Sequence, residues 1–205
     1  TDTTRQPGST FKILAAYSAA LDAGGLTLAS VQDDAPYTYA GANGKSVNNY
    51  DRRYRGFTTL REAITDSINI VTVKTLAQAG VSLGWQYVQE YGFTTVDSRD
   101  MNEALALGGI TQGVSNLELT AAYAAIANQG TYIKPKFYTK ILDHDGNVLI
   151  DNTTPESHTV IKDTTAWLLT SAMEDVMTSG TGTSAYFGSS MAQAGKSGTT
   201  TSSRD

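Results

Sequence analysis

The chain has 205 residues, 40% of them hydrophobic and 17% charged, with no cysteine and a net charge of -5. This is ordinary globular material, long enough to bury roughly 70% of the surface exposed when unfolded. It excludes disulfides and thiolate metal sites, and the acidic balance argues against a nucleic-acid partner, which needs clustered Lys and Arg.

The first predicted element is a helix over 9–21, with Phe11, Leu14, Tyr17 and Leu21 at spacings near 3.6. Pro7 and Gly8 precede it as breakers and Gly24-Gly25 follow as a stop. Residues 26–57, rich in Gly, Asn, Asp and Tyr, read as loop with short strands. Thr59 and Glu62 form a capping box that opens a second helix, whose apolar pattern runs unbroken toward Leu76 and stops before Gly80. A third helix spans about 83–91.

Ser115 and Glu118 form another capping box, and the apolar run over 117–127 ends at Gly130. Segments 137–142 and 148–150 flank Asp145-Gly146, a hairpin signal. Asp163 is expected to cap a helix containing Trp167, Leu168, Ala172 and Met173 that ends near Gly180. The small-residue, Thr-rich tail over 192–201 suits a strand. No stretch approaches the roughly 20 apolar residues that cross a bilayer. His144 and His158 stand in polar stretches, apart from other candidate ligands, and read as surface residues.

Three short patterns carry candidate chemistry: Ser9-Thr10-Phe11-Lys12, Ser67-Ile68-Asn69 and Lys196-Ser197-Gly198. Ser9 falls at a helix N-terminus, where free N–H groups favour negative charge, and Lys12 returns to the same face one turn on. A lysine buried there loses affinity for its proton and can act as a base. Gly198 permits close approach of backbone to a ligand, and Ser197 offers a hydroxyl for a carboxylate. Taken singly, a Ser and a Lys three apart on a helix are more often a cap and a solvated charge, and Lys-Ser-Gly is more often a turn entering a strand. Ser46-Val47-Asn48 competes with the second pattern. Ser67 is preferred because it falls within a predicted amphipathic helix, whereas Ser46 falls in a Gly- and Asn-rich loop.

Together, in this order, the three resemble the signature of penicillin-binding proteins and their serine β-lactamase relatives. The likeness extends beyond them. Residues 5–12, Arg5-Gln6-Pro7-Gly8-Ser9-Thr10-Phe11-Lys12, are similar to the nucleophile segment of the bifunctional, class A members. So are Asn49-Tyr50-Asp51 with Gly56 and Thr59-Leu60-Arg61-Glu62-Ala63, Ala106-Leu107-Gly108-Gly109 with Gly113-Val114-Ser115 and Leu117-Glu118-Leu119, and residues 194–200 around the third pattern.

The resemblance implies an α+β, helix-rich fold of the β-lactamase/penicillin-binding-protein type, with helices on both faces of a five-stranded antiparallel sheet. Residues 1–205 would form a single, partial transpeptidase domain, with most of that sheet outside it at both chain ends. It implies attack on the D-Ala-D-Ala end of a peptidoglycan stem peptide, with acyl transfer to an acceptor amine and no metal or organic cofactor. Ser9 would be the nucleophile, Lys12 its base, and Ser67 a proton relay to the leaving amine. Asn69 would hold the substrate amide and orient Lys12, Lys196 would supply positive potential, and Ser197 beside Gly198 would bind the terminal carboxylate. The N–H groups of Ser9 and Thr199 would form the oxyanion hole, and β-lactams would acylate Ser9. The parent protein would be membrane-anchored, acting on the extracytoplasmic face. Two other readings share the scaffold. A serine β-lactamase is disfavoured because no Glu-x-x-Leu-Asn segment is present and Ser67-Ile68-Asn69 lacks the Val of another class. A non-catalytic β-lactam-sensing module would keep the same trio.

Overall fold

The computed structural model describes residues 3–40, 44–188 and 190–200. A helical run over 8–22 lies at its centre. It opens with a 3-10 turn (Gly8–Thr10), passes through a π-helical turn (Ile13–Tyr17) and closes as helix α1 (Ser18–Asp22). Phe11, Ile13, Leu14, Ala15, Ala16 and Tyr17 are all fully buried, as are Lys12 and Ser18, so this run is enclosed around its whole circumference and its two polar side chains must find partners inside the protein. The π-turn has a local cause. The Ser18 backbone N–H reaches back five residues to the Ile13 carbonyl, and the Ser18 hydroxyl donates to the same oxygen at 2.9 Å. Such turns commonly mark functional helices.

Around this run pack α3 (Asn69–Ala79), α4 (Val81–Glu90) and a 3-10 turn (Glu103–Leu107). Helices α2 (Leu60–Thr65) and α6 (Asp163–Thr178) are joined by the Arg61 guanidinium, which donates to the Asp175 carboxylate at 2.7 Å and to the Ser171 hydroxyl at 3.1 Å. Both expected capping boxes form. Thr59 N–H donates to Glu62 at 2.9 Å while Glu62 N–H donates to the Thr59 hydroxyl at 3.2 Å. Ser115 and Glu118 do the same at the head of α5 (Asn116–Ala127), where Glu118 also accepts from Thr94 N–H and the Thr94 hydroxyl. Ser115→Ala is expected to cost about 1 kcal/mol, read as a lowered midpoint in thermal denaturation.

The α+β class holds. The described strands form five antiparallel pairs rather than one five-stranded sheet: Thr4–Arg5 with Val114–Ser115, Val31–Asp34 with Gly56–Thr59, Tyr37–Thr38 with Ser46–Val47, Thr131–Ile133 with Ser157–Thr159, and Lys140–Leu142 with Val148–Asp151. The last pair is the expected hairpin around Asp145-Gly146. The first has a positioning role, because it fixes the chain entering Ser9 against the 108–115 segment. The Gln6 amide reinforces this by accepting from Ile110 N–H at 3.1 Å and donating to the Ile110 carbonyl.

Three expectations are corrected. The second helix is two helices, because Asp66, Ser67 and Ile68 interrupt it and Ser67 takes a left-handed backbone, φ 55°. Hydrophobic periodicity does not register a reversal this short. The helix expected at Asp163 has Lys162 as its N-cap, and Asp163 is its first residue, its carboxylate accepting from Thr164 N–H at 2.7 Å. Residues 192–200 form no strand: no described strand lies alongside to supply a ladder, and Gly195 N–H donates instead to the Met173 carbonyl at 3.2 Å. Thr201, the last residue of that expected strand, lies outside the described residues.

Candidate active site

A cleft of about 860 Å³ opens where the start of the first helical run, the α2–α3 break and the 196–200 segment meet. Ser9, Ser67, Asn69, Ser197, Gly198 and Thr199 all line it. Lys12 stands behind it, fully buried. Its ammonium spends its three N–H groups on three acceptors: the Ser67 carbonyl at 2.7 Å, the Ser67 hydroxyl at 3.2 Å and Asn69 Oδ1 at 2.6 Å. Burial holds Lys12 well below the ordinary lysine range, and the charge of nearby Lys196 pushes the same way. No hydrogen bond joins Lys12 to Ser9 among the described residues. Nucleophile–base bonds often tighten only when a substrate is seated.

Lys196 donates to the Ser67 hydroxyl at 2.8 Å and to the Ser197 carbonyl at 3.0 Å. Burial brings its ammonium down to about 8. The Ser67 oxygen therefore lies between two ammonium groups and accepts from both. Its left-handed backbone is what turns both its carbonyl and its hydroxyl toward Lys12. A non-glycine residue held at positive φ stores strain of the kind found at functional sites. Of the two competing serines, Ser67 is the one that lines the cleft beside Lys12, and a helix break rather than the expected helix positions it.

The third pattern closes over the first through two glycines. A Cβ on Gly198 would meet Thr10 Cγ2 at 2.9 Å and the Pro7 carbonyl at 3.2 Å. A Cβ on Gly8, whose φ is 55°, would meet the Thr199 carbonyl at 2.8 Å. Only without these two side chains can the backbone of Thr199 lie against that of Gly8, the residue before Ser9. Ser197 shares a hydrogen bond of 2.6 Å with Thr181, a residue the sequence reading did not single out. Thr181 follows α6 and is held by its own N–H on the Thr65 carbonyl at 3.2 Å. Nothing local in the sequence could mark it, since its role exists only where two helix ends meet. Asn48 and Asn49 also line the cleft and were assigned no role.

The histidines stand on the surface, His144 side by side with Asp145 and His158 against Glu90 and the Tyr132 ring. Among the described residues no helix is long and apolar enough to cross a membrane.

The family model for the penicillin binding protein transpeptidase domain matches residues 1–205. The chain is 39% identical to penicillin-binding protein 1F of Bacillus subtilis over 196 residues, covering 96% of this chain and 26% of that protein. It is 35% identical to penicillin-binding protein 1A of Streptococcus pneumoniae over 205 residues, covering 97% of this chain and 28% of that one. The chain thus spans about a quarter of the length of these curated relatives. Among solved structures, penicillin-binding protein 1A from Haemophilus influenzae superposes with a TM-score of 0.86 at 27% identity, covering all of this chain and 36% of the other.

Proposed function

The chain belongs to the penicillin-binding protein transpeptidase family, and from that premise we propose that it carries the acyl-transfer site of a peptidoglycan DD-transpeptidase. Residues 1–205 would be part of a single transpeptidase domain within a longer, membrane-anchored protein working on the extracytoplasmic face. The observation that carries the reading is the triple hydrogen bonding of a fully buried Lys12 to Ser67 and Asn69, behind a cleft that Ser9 lines.

When Lys12 is neutral it keeps two N–H groups for its two shortest bonds, to the Ser67 carbonyl and Asn69 Oδ1. Its lone pair takes the place of the N–H that faced the Ser67 hydroxyl, and turns to the proton of Ser9 as a seated substrate draws the two side chains together. Ser9 Oγ bonds to the carbonyl carbon of the penultimate D-Ala, and the C–N bond to the terminal D-Ala breaks. The proton passes through Ser67 to the departing nitrogen, along the line of hydroxyl and ammonium groups from Lys12 to Lys196. The Ser9 and Thr199 N–H groups take the developing oxyanion, a contribution of about 3 kcal/mol for each such donor. Ser197, backed by Thr181 and Lys196, takes the terminal carboxylate. An acceptor amine then displaces Ser9 by the reverse proton path, and β-lactams enter the same sequence at the same serine.

The test incubates the full-length protein with a D-Ala-D-Ala stem-peptide donor and an amine acceptor, and follows products by mass spectrometry. A cross-linked product is expected. A stable acyl-enzyme with a β-lactam but no cross-link would make the protein a sensor, and rapid turnover of a chromogenic cephalosporin would make it a β-lactamase.

A further inference from the structure

The segment 46–48 that competes in sequence as a second Ser-x-Asn lies against the site. The Asn69 amide sits between two partners of opposite kind: Lys12 Nζ is 2.6 Å from Oδ1, and the Asn48 carbonyl is 2.7 Å from Nδ2. An ammonium cannot accept and a carbonyl cannot donate, so one orientation of the amide alone satisfies both. The Asn48 carbonyl thus decides which end of Asn69 faces the lysine.

The next residue fixes where Asn69 stands. Asn49 is 4% exposed, and its Oδ1 accepts from the backbone N–H of Asn69 at 3.0 Å and of Ile70 at 3.2 Å. These are the first two residues of α3, where N–H groups have no partner within the helix. The N-cap position is Ile68, which has no side-chain acceptor. Asn49 supplies the cap from 20 residues away in sequence. Its Nδ2 in turn donates to both oxygens of Asp34, at 2.8 and 2.9 Å, and to the Arg53 carbonyl at 2.8 Å. Asp34 is fully buried and also accepts from Arg55 N–H at 2.9 Å. Every polar atom of the Asn49 side chain is therefore engaged, and the chain of contacts runs from a buried carboxylate to the lysine without a gap.

We infer that Asn49, anchored on Asp34, is a positioning residue for acylation that, by fixing the start of α3 and together with the Asn48 carbonyl, holds the Asn69 amide oxygen on Lys12. The inference rests on the reading of Ser9 and Lys12 as the acylating pair.

The experiment measures the rate of acylation of the full-length protein by a fluorescent penicillin, beside its thermal midpoint. Asn49→Ala is expected to slow acylation by about 10- to 100-fold, the usual effect of displacing a catalytic group by about an ångström. Asn69→Ala should slow it at least as much, and the double variant should be no slower than Asn69→Ala alone, because Asn49 acts by placing the Asn69 amide that the single variant has already removed. A purely structural asparagine would lower the midpoint and multiply its loss onto that of Asn69→Ala. The exchange variant Asp34→Asn with Asn49→Asp keeps an N–H···O bond between the pair and an acceptor for α3 but sets a carboxylate oxygen against the Arg53 carbonyl, so it should recover acylation in part, to several times the rate of Asn49→Ala. Full-rate acylation by Asn49→Ala, multiplicative losses, or a folded but unrecovered exchange variant would each overturn the inference. If Asn49→Ala does not fold, the exchange variant decides. Failure of the underlying reading looks different: the parent's adduct would then survive loss of the Ser9 hydroxyl.

Discussion

Ser9→Ala is expected to abolish the covalent adduct that the full-length protein forms with benzylpenicillin, read by mass spectrometry of the intact protein. Three serines line the cleft, and their surroundings separate them. The Ser67 oxygen accepts from Lys12 and Lys196, at 3.2 and 2.8 Å. The Ser197 hydroxyl is taken by Thr181 at 2.6 Å. Ser9 is the member of the three whose hydroxyl has no hydrogen bond to another described residue. It stands at the mouth of the central helical run, with the backbone of the Thr199 segment closing against Gly8. A hydroxyl committed to two ammonium donors can pass a proton but is poorly placed to attack. In the proposed acylation, Ser9 Oγ bonds to the lactam carbonyl carbon, the lactam C–N bond breaks, and the serine proton ends on the ring nitrogen. The alanine variant lacks the bonding atom, so the loss should be complete rather than partial. An adduct of unchanged mass and yield in Ser9→Ala would move the nucleophile to another residue and remove the basis of the proposed function.

What could be read from sequence was local. The central helix was legible because its apolar residues recur at the helical period, and both capping boxes because each is a four-residue device that carries its own hydrogen bonds. The three chemical patterns were legible as a set, and the structure brings them to one cleft although Ser9 and Lys196 are 187 positions apart. What escaped depends on tertiary partners. The reversal at Ser67 is one residue long and is sustained by Lys12 pulling on its carbonyl, which no periodicity shows. Asn49 looks like any loop asparagine until Asp34 and the head of α3 are placed around it. Thr181 gains its meaning from the junction of α2 and α6. The expected strand over 192–201 failed for the same reason in reverse, since extended backbone becomes a strand only beside another.

Acylation is expected to trace a bell against pH, rising along a limb set by Lys12 and falling above about 8, where Lys196 loses its proton. The signs follow from the roles proposed for the two lysines. Lys12 must be neutral to take the Ser9 proton, so the rate climbs as pH passes its lowered value. Lys196 must be charged to hold the Ser67 hydroxyl and draw in a carboxylate, so the rate drops once it is neutral. Unfolding does not mimic this decline. Between about 8 and its ordinary 10.5, Lys196 in the unfolded chain holds a proton that the folded chain has released, so this group makes stability rise with pH across the window. Lys12→Ala should cost about 10²–10⁴-fold, the worth of a positioned base. Lys196→Ala is the sharper variant. It removes the charge that adds to burial in depressing Lys12, so the acid limb should move to higher pH while the alkaline limb near 8 disappears. Lys196→Arg, always charged, should leave the acid limb in place and carry the alkaline limb beyond the measurable range. An acid limb that stays fixed in Lys196→Ala would mean that the two ammonium groups do not sense each other across the Ser67 hydroxyl, and the depression of Lys12 would then come from burial alone.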